Sequence, residues 1–242
     1  MKNVIMLMAL LSIAAVINAS PIRILHLGSS SHSPAEANSA NIPLDVTVVS
    51  SLNGQNLSNF DILSIDEHPP STFDVNLVRN AVENGLGLVF NPGSTGNPVY
   101  DEIGDVLGTN FTPVGQSGAF QLTNDGANHP IFTGAGIPGN NSINIQDLDN
   151  QSRHAVSNPI GTVLATDGAG RAVIFTGTLG QGRFLINTFE PLESTSVQEA
   201  QYMANVYHFV AQGGNFAPVP EPSTYLFLGL GIFALYRRKK RA

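Results

Sequence analysis

The sequence predicts an α/β fold built on a mostly parallel sheet, on three observations. Runs at residues 22–27, 62–65 and 86–90 are mostly apolar rather than strictly alternating, as strands covered on both faces require. A helical stripe stands between the last two, and glycines close strand and helix alike. Strand, crossover, strand, strand, helix, strand is the order of a wound parallel sheet.

Taken in order, the first run ends at Gly28, and residues 45–49 supply a second strand before the third at 62–65. The helix is expected from Thr72 as N-cap, with Phe73, Leu77, Val78, Ala81 and Val82 on one stripe and Gly85 as its stop. Residues 86–90 follow as another buried strand. The second half reads as strands at 119–122, 142–145, 162–165, 172–176 and 183–188. Asp167-Gly168 and Gly180-Gln181-Gly182 are its turn signals. A last helix over 197–212 turns Ala200, Met203, Ala204, Tyr207 and Phe209 or Val210 inward. Gly213-Gly214 stops that helix, and residues 213–218 form a linker.

Both ends carry export signals. Lys2, an apolar stretch over residues 4–16 and the small-residue exit Asn18-Ala19-Ser20 read as a signal peptide over 1–19, which implies signal peptidase as a partner. At the other end Val219-Pro220-Glu221-Pro222 precedes a short apolar run and then Arg237-Arg238-Lys239-Lys240-Arg241. The prolines prevent a helix from running back into the domain, and the five cations form a basic membrane stop. The apolar run is short for a span of about 17–25 residues. In order and position this tail, residues 219–242, resembles a PEP-CTERM sorting signal. The resemblance implies a C-terminal membrane helix, passage through the inner membrane, and an exosortase-type membrane peptidase as partner. It further implies delivery to the cell surface or exopolysaccharide of a Gram-negative bacterium.

Between the two signals the chain is acidic. Of 11 Lys and Arg, one is Lys2 and five lie in the tail, leaving Arg23, Arg79, Arg153, Arg171 and Arg183. Of 18 Asp and Glu only Glu221 is in the tail, so the domain carries a formal charge near −12 against −7 for the whole chain. Such a surface repels phosphate backbones, which excludes nucleic acid as a partner. The chain has no cysteine, hence no disulfide, no thiolate catalysis and no Cys-based zinc site.

A second set of motifs runs through the domain: Asp61-Ile-Leu-Ser-Ile65, Val82-Glu-Asn-Gly85-Leu-Gly87-Leu-Val-Phe90, His129-Pro130-Ile131 with Gly134, and Gly180-Gln-Gly182-Arg183-Phe-Leu-Ile. That succession resembles the class I glutamine-amidotransferase-like superfamily, especially its trehalose-utilisation-type branch, over most of residues 22–212. The resemblance implies a flavodoxin-like three-layer sandwich with a mostly parallel central sheet over 20–212. Its chemistry does not carry over. Active members place a cysteine at the sharp turn after a central strand, where this chain has Asn91-Pro92-Gly93-Ser94. Ser94 lies past the proline with no His-acid partner assigned to it, so no catalytic residue is named.

In a parallel α/β sheet, ligands bind beyond the carboxyl ends of the strands. His26 and His32 flank the first such exit, Asp66, Glu67 and His68 the third strand's, Asn91 the fourth's and Glu190 the last long strand's. His26, His32, Glu67, His68, Asn91 and Glu190 are therefore the candidate ligand-binding residues, with no metal and no cofactor expected. Carboxylates and amides of this kind hold sugars, and exopolysaccharide is the candidate ligand. Three functions stand in order: a non-catalytic binding domain displayed at the surface; a carbohydrate-active or metal-dependent hydrolase using His26, Glu67, His68 and Glu190; and ice or surface adhesion. The last requires a flat, repetitive threonine face, and the sequence has no regular Thr-x-Thr spacing.

Overall fold

Among the described residues ten strands make one sheet in the order β2-β1-β3-β4-β10-β9-β7-β5, with β8 beside β9 and β6 beside β8. The computed structural model describes residues 20–28, 34–35, 37, 42–66, 73–92, 99–115, 118–137, 142–148, 154–189, 191 and 196–212. Nearly all of these belong to one compact unit, Pro21–Asn215. Residues 1–19, expected as a signal peptide, and the tail 219–242 with its basic stop lie outside the described residues. Among the described residues no helix is long and apolar enough to cross a membrane.

The mostly apolar runs become the parallel strands. β1 (Ile22–Leu27) pairs in parallel with β2 (Leu44–Val49) on one side and β3 (Ile62–Ile65) on the other. β3 pairs with β4 (Gly87–Phe90), and β4 with β10 (Gly182–Asn187), again in parallel. This order, 2-1-3-4 and then the last strand, is that of a doubly wound sheet, with its switch point between β1 and β3. Beyond β10 the pairing turns antiparallel: β9 (Ala172–Leu179) joins β10, and β7 (His154–Val156), β8 (Thr162–Thr166), β5 (Pro113–Gly115) and β6 (Gln121–Leu122) extend from it. Since β7 and β8 are each antiparallel to β9, they run with the parallel set, and only β5, β6 and β9 oppose it.

Helices cover both faces. α1 (Val75–Glu83) and α2 (Val99–Leu107) lie on one, where Val78, Val82, Ile103 and Val106 meet Leu25, Leu27, Leu63, Ile65, Leu88 and Phe90. α3 (Asn124–Asn128), α4 (Pro130–Thr133) and α5 (Val197–Ala211) lie on the side of Ile24, Ile62, Val89 and Leu185. α5 is buried over most of its circumference, Tyr202 to Tyr207 entirely. Its end packs at the start of β4, where Gly87 leaves room that a Cβ would fill 2.6 Å from Val210 Cγ1.

Several expectations are corrected. The helix expected from Thr72 is capped by Asp74, whose carboxylate accepts from the backbone N–H groups of Asn76 and Leu77, so it begins at Val75. Leu77, expected inward, is 40 % exposed, because the shorter helix turns Val78 and Val82 to the sheet instead. Gly85 follows the end of α1 with φ 110°, as the expected stop. The strand expected at 142–145 is an irregular segment entering a 3-10 turn, Ile145–Asp147, because the Asn144 side chain caps Gln146. That at 119–122 is reduced to Gln121–Leu122, and β9 runs past its expected end to Leu179. α2, β5 and β7 are elements that the sequence pattern does not predict.

Candidate functional site

Side-chain alternation and the parallel register decide what gathers at the carboxyl ends of the strands. In β1, Ile24 and His26 share the α5 side of the sheet. The register sets His26 opposite Ser64 of β3, and Asp66 falls on the same side one step beyond. By the same parity Asn91, following β4, and Asn187, ending β10, point to that side. The outcome is a row of polar groups along the carboxyl edge beneath α5, starting at the β1/β3 switch point.

At the switch point His26 Nδ1 lies 3.3 Å from Ser64 Oγ, and His26 Nε2 lies 4.0 Å from Asp66 Oδ2. Tyr207 of α5 reaches the same group, beside Ser64 and Asp66. Burial pushes the Tyr207 hydroxyl far above its ordinary pKa, so it keeps its proton. Gly28 admits this packing: a Cβ there would stand 2.5 Å from Asp66 Cβ and 2.9 Å from His26 Nε2. His26 is 1 % exposed and Asp66 6 %.

Two strands away a second group forms. Asn187 Nδ2 donates to Asn91 Oδ1 at 2.8 Å, and Tyr202 of α5 donates its hydroxyl proton to Asn187 Oδ1 at 2.5 Å. Burial raises the Tyr202 pKa as well. α5 is fixed in turn by Asn205, whose Nδ2 donates to the Ile131 carbonyl at 2.9 Å and whose Oδ1 accepts from Gln201 at 2.8 Å. Deep polar groups of this kind stay buried because they satisfy one another.

Of the six candidate residues, His26 and Asn91 are thus on the same side of the same edge, while His32, Glu67, His68 and Glu190 lie outside the described residues. Among the described residues no three His, Asp or Glu side chains are grouped to hold a metal ion. Ser64, Asn187, Tyr202 and Tyr207 join the site without being singled out by sequence. Ser64 does carry a signal, as the one polar residue within the run Ile62–Ile65. His154, without a visible partner in sequence, is buried in β7, with its ring edge-on to Tyr100 at 6.2 Å. His208 lies 3.1 Å from Gln212 Nε2 through Nδ1.

Comparison with solved structures finds the same fold elsewhere. A GMP synthase subunit from Thermoplasma acidophilum superposes with a TM-score of 0.50 at 13 % identity, over 81 % of this chain and 96 % of that one. A cytoplasmic protein of Salmonella typhimurium LT2 superposes with a TM-score of 0.50 at 13 % identity, over 78 % and 99 %. A ThuA-like protein of Parabacteroides merdae aligns over 84 % and 94 % at 13 % identity with a TM-score of 0.46. At 13 % identity the first two likenesses are of fold alone. No curated protein matches the chain significantly. The remaining match is to the tail: residues 218–241 fit the model of the PEP-CTERM protein-sorting motif. The chain therefore shares the α/β fold of these solved structures and carries a PEP-CTERM sorting motif, the mark of an exported protein processed by an exosortase.

Proposed function

We propose that this is an exported display protein whose domain binds a ligand without transforming it. Residues 1–19 are its signal peptide, 20–212 the binding domain, 213–218 a linker and 219–242 the sorting tail. Its destination is the cell surface or exopolysaccharide of a Gram-negative bacterium.

The single observation that carries the non-catalytic reading is the turn after β4. Asn91 and Pro92 stand where an active amidotransferase needs a cysteine, both are buried, and the Asn91 amide is occupied by Asn187. A nucleophile requires a deprotonable group held beside a base, and an amide bonded to a second amide offers neither. Binding is supported by the polar carboxyl edge at the β1/β3 switch point, and the domain charge near −12 favours neutral or cationic polymers over anionic ones.

The alternative is a carbohydrate-active or metal-dependent hydrolase using His26, Glu67, His68 and Glu190. It is favoured by the approach of His26 Nε2 to Asp66 Oδ2, 4.0 Å apart at the switch point. One experiment separates the two: the full chain, His68→Ala and Glu190→Ala are tested for hydrolysis of neutral polysaccharides and for their retention. Retention without turnover is the expected result. Turnover by the native chain that either substitution abolishes, with the melting transition unchanged, would establish the hydrolase.

A further inference from the structure

We infer that the Asn53-Gly54 pair, in the connection from β2 to β3, is a site of spontaneous covalent modification in the folded domain. Its side-chain amide is lost as ammonia, leaving aspartate and isoaspartate. This goes beyond the display reading and is independent of what the domain binds.

Residue type fixes the chemistry. The backbone nitrogen that follows an asparagine attacks that residue's own Cγ and closes a five-membered succinimide. The new C–N bond replaces the bond to Nδ2, which leaves as ammonia with the proton of the attacking N–H. Water then opens the ring: cleavage on one side gives aspartate, and on the other isoaspartate, whose main chain passes through the former side chain. One water is taken up for one ammonia released, and no oxidant, reductant or second protein is needed. Glycine in second place favours the attack, because no Cβ hinders its nitrogen. An Asp-Gly pair closes the same ring with loss of water. In either case the N–H must be free of hydrogen bonds and the side chain free to turn onto it.

The sequence has four such pairs, Asn53-Gly54, Asn84-Gly85, Asp125-Gly126 and Asp167-Gly168. Three of them are held closed. Asn84, which ends α1, donates Nδ2 to the Asn80 carbonyl at 2.7 Å, and the Gly85 N–H donates to the Val82 carbonyl at 2.9 Å. Gly126 is buried in α3, and its N–H donates to Thr123 Oγ1 at 3.0 Å. Asp167 is buried, with Oδ1 accepting from the N–H groups of Ala169 and Arg171 and Oδ2 from the Arg171 guanidinium.

Asn53-Gly54 is open on every count. Both residues are exposed. The turn is closed by the Gln55 N–H donating to the Leu52 carbonyl at 3.1 Å, which leaves the Gly54 N–H outside the ring. Among the described residues none bonds that N–H or the Asn53 carboxamide; Asn53 is held through its own N–H, which donates to Ser51 Oγ at 3.1 Å. Gly54 has φ 77°, and a Cβ built on it would meet nothing within 4 Å, so no neighbour obstructs ring closure. Leu52 and Leu57 on either side are buried in the core beneath α1 and α2. The isoaspartyl product inserts a backbone carbon between those two anchors, and both products add a negative charge to a domain already near −12.

The scarcity of basic residues provides the test. Trypsin cuts the domain after Arg23, Arg79 and Arg153, so Asn53 falls in fragment 24–79 and Asn84 in fragment 80–153. The full chain in mild detergent is aged in mildly alkaline buffer, digested at intervals and weighed by mass spectrometry. Fragment 24–79 is expected to gain the mass of a water less an ammonia several-fold faster than 80–153, with fragmentation placing the gain at residue 53. In urea the two rates should converge, because Asn84 and Gly85 then lose their hydrogen bonds. Asn53→Gln, whose longer side chain closes only a less favourable six-membered ring, should remove most of the gain from 24–79. Equal rates in the folded chain, a faster gain in 80–153, or a gain in 24–79 that is placed at another asparagine or survives Asn53→Gln overturns the inference. Placement within the native chain keeps the result readable if the variant does not fold.

Discussion

The two faces of the parallel sheet are made from alternate residues of the same short strands, yet they differ along their length. Toward α1 and α2 the strands present Leu25 and Leu27, Leu63 and Ile65, Leu88 and Phe90, Phe184 and Ile186, hydrocarbon from end to end. Toward α5 each begins apolar and ends polar: Ile24 then His26, Ile62 then Ser64 and Asp66, Val89 then Asn91, Leu185 then Asn187. One face only holds the fold together. The other holds it at the amino end and carries a hydrogen-bonded polar layer at the carboxyl end, where wound sheets take ligands.

Truncation on the apolar face sets the upper end of the scale. Phe90 is fully buried and edge-on to Tyr100 at 5.5 Å. Phe90→Ala should cost about 3–5 kcal/mol of unfolding free energy in urea denaturation. On the polar face, Asn187→Ala removes no large apolar volume but strands the Asn91 carbonyl and the Tyr202 hydroxyl, at about 1–3 kcal/mol for each stranded group. Tyr202→Phe leaves only the Asn187 carbonyl oxygen without that donor and should cost about 1 kcal/mol. If the Asn–Asn–Tyr group acts as one unit, the double variant falls short of the sum of the singles by more than about 0.5 kcal/mol. Strict additivity would reduce it to unrelated polar residues that happen to be neighbours.

This contrast also marks how far the sequence can be read. β1, β3, β4, α1 and α5 are legible because a buried strand is a short apolar run and a packed helix a 3.6-residue stripe. α2 is equally marked by Tyr100, Ile103, Val106 and Leu107, but the glycine-rich stretch before it hides its start. β5 and β7, at three residues each, are too short to display a period. The segment 142–145 reads as a strand on its isoleucines, although Asn144 caps a turn. Within the site, His26, Asp66 and Asn91 are legible as strand-end polar groups. That His26 meets Ser64, or that Asn91 meets Asn187 from 96 residues away, depends on which strands are neighbours and in what register, and neither is written locally.

The smallest expected effect belongs to the α5 side at its amino end, where the strands are apolar and the polar groups lie at the rim. His129 caps α4 by accepting the Ile131 N–H at Nδ1, and its ring stands edge-on to Phe209 at 4.6 Å. Arg183 lies over the same Phe209 ring at 4.8 Å and donates to the Phe209 carbonyl. Burial lowers the His129 pKa and the charge of Arg183 lowers it further, while Asp125 opposes them. A histidine depressed in the folded state binds its proton more readily when unfolded. Its stabilising contribution is therefore complete above the ordinary value of 6.5 and is lost as pH falls from there toward the folded value. Protonation also ends the Nδ1 cap. His208, lowered by burial, adds a slope of the same sign. In a series of urea midpoints from pH 7.5 to 5, His129→Gln should flatten the acid-side decline beyond what His208→Gln achieves, and Arg183→Gln should shrink it, because the folded value of His129 moves back toward 6.5. An unchanged decline in His129→Gln would remove His129 as the source of the acid sensitivity.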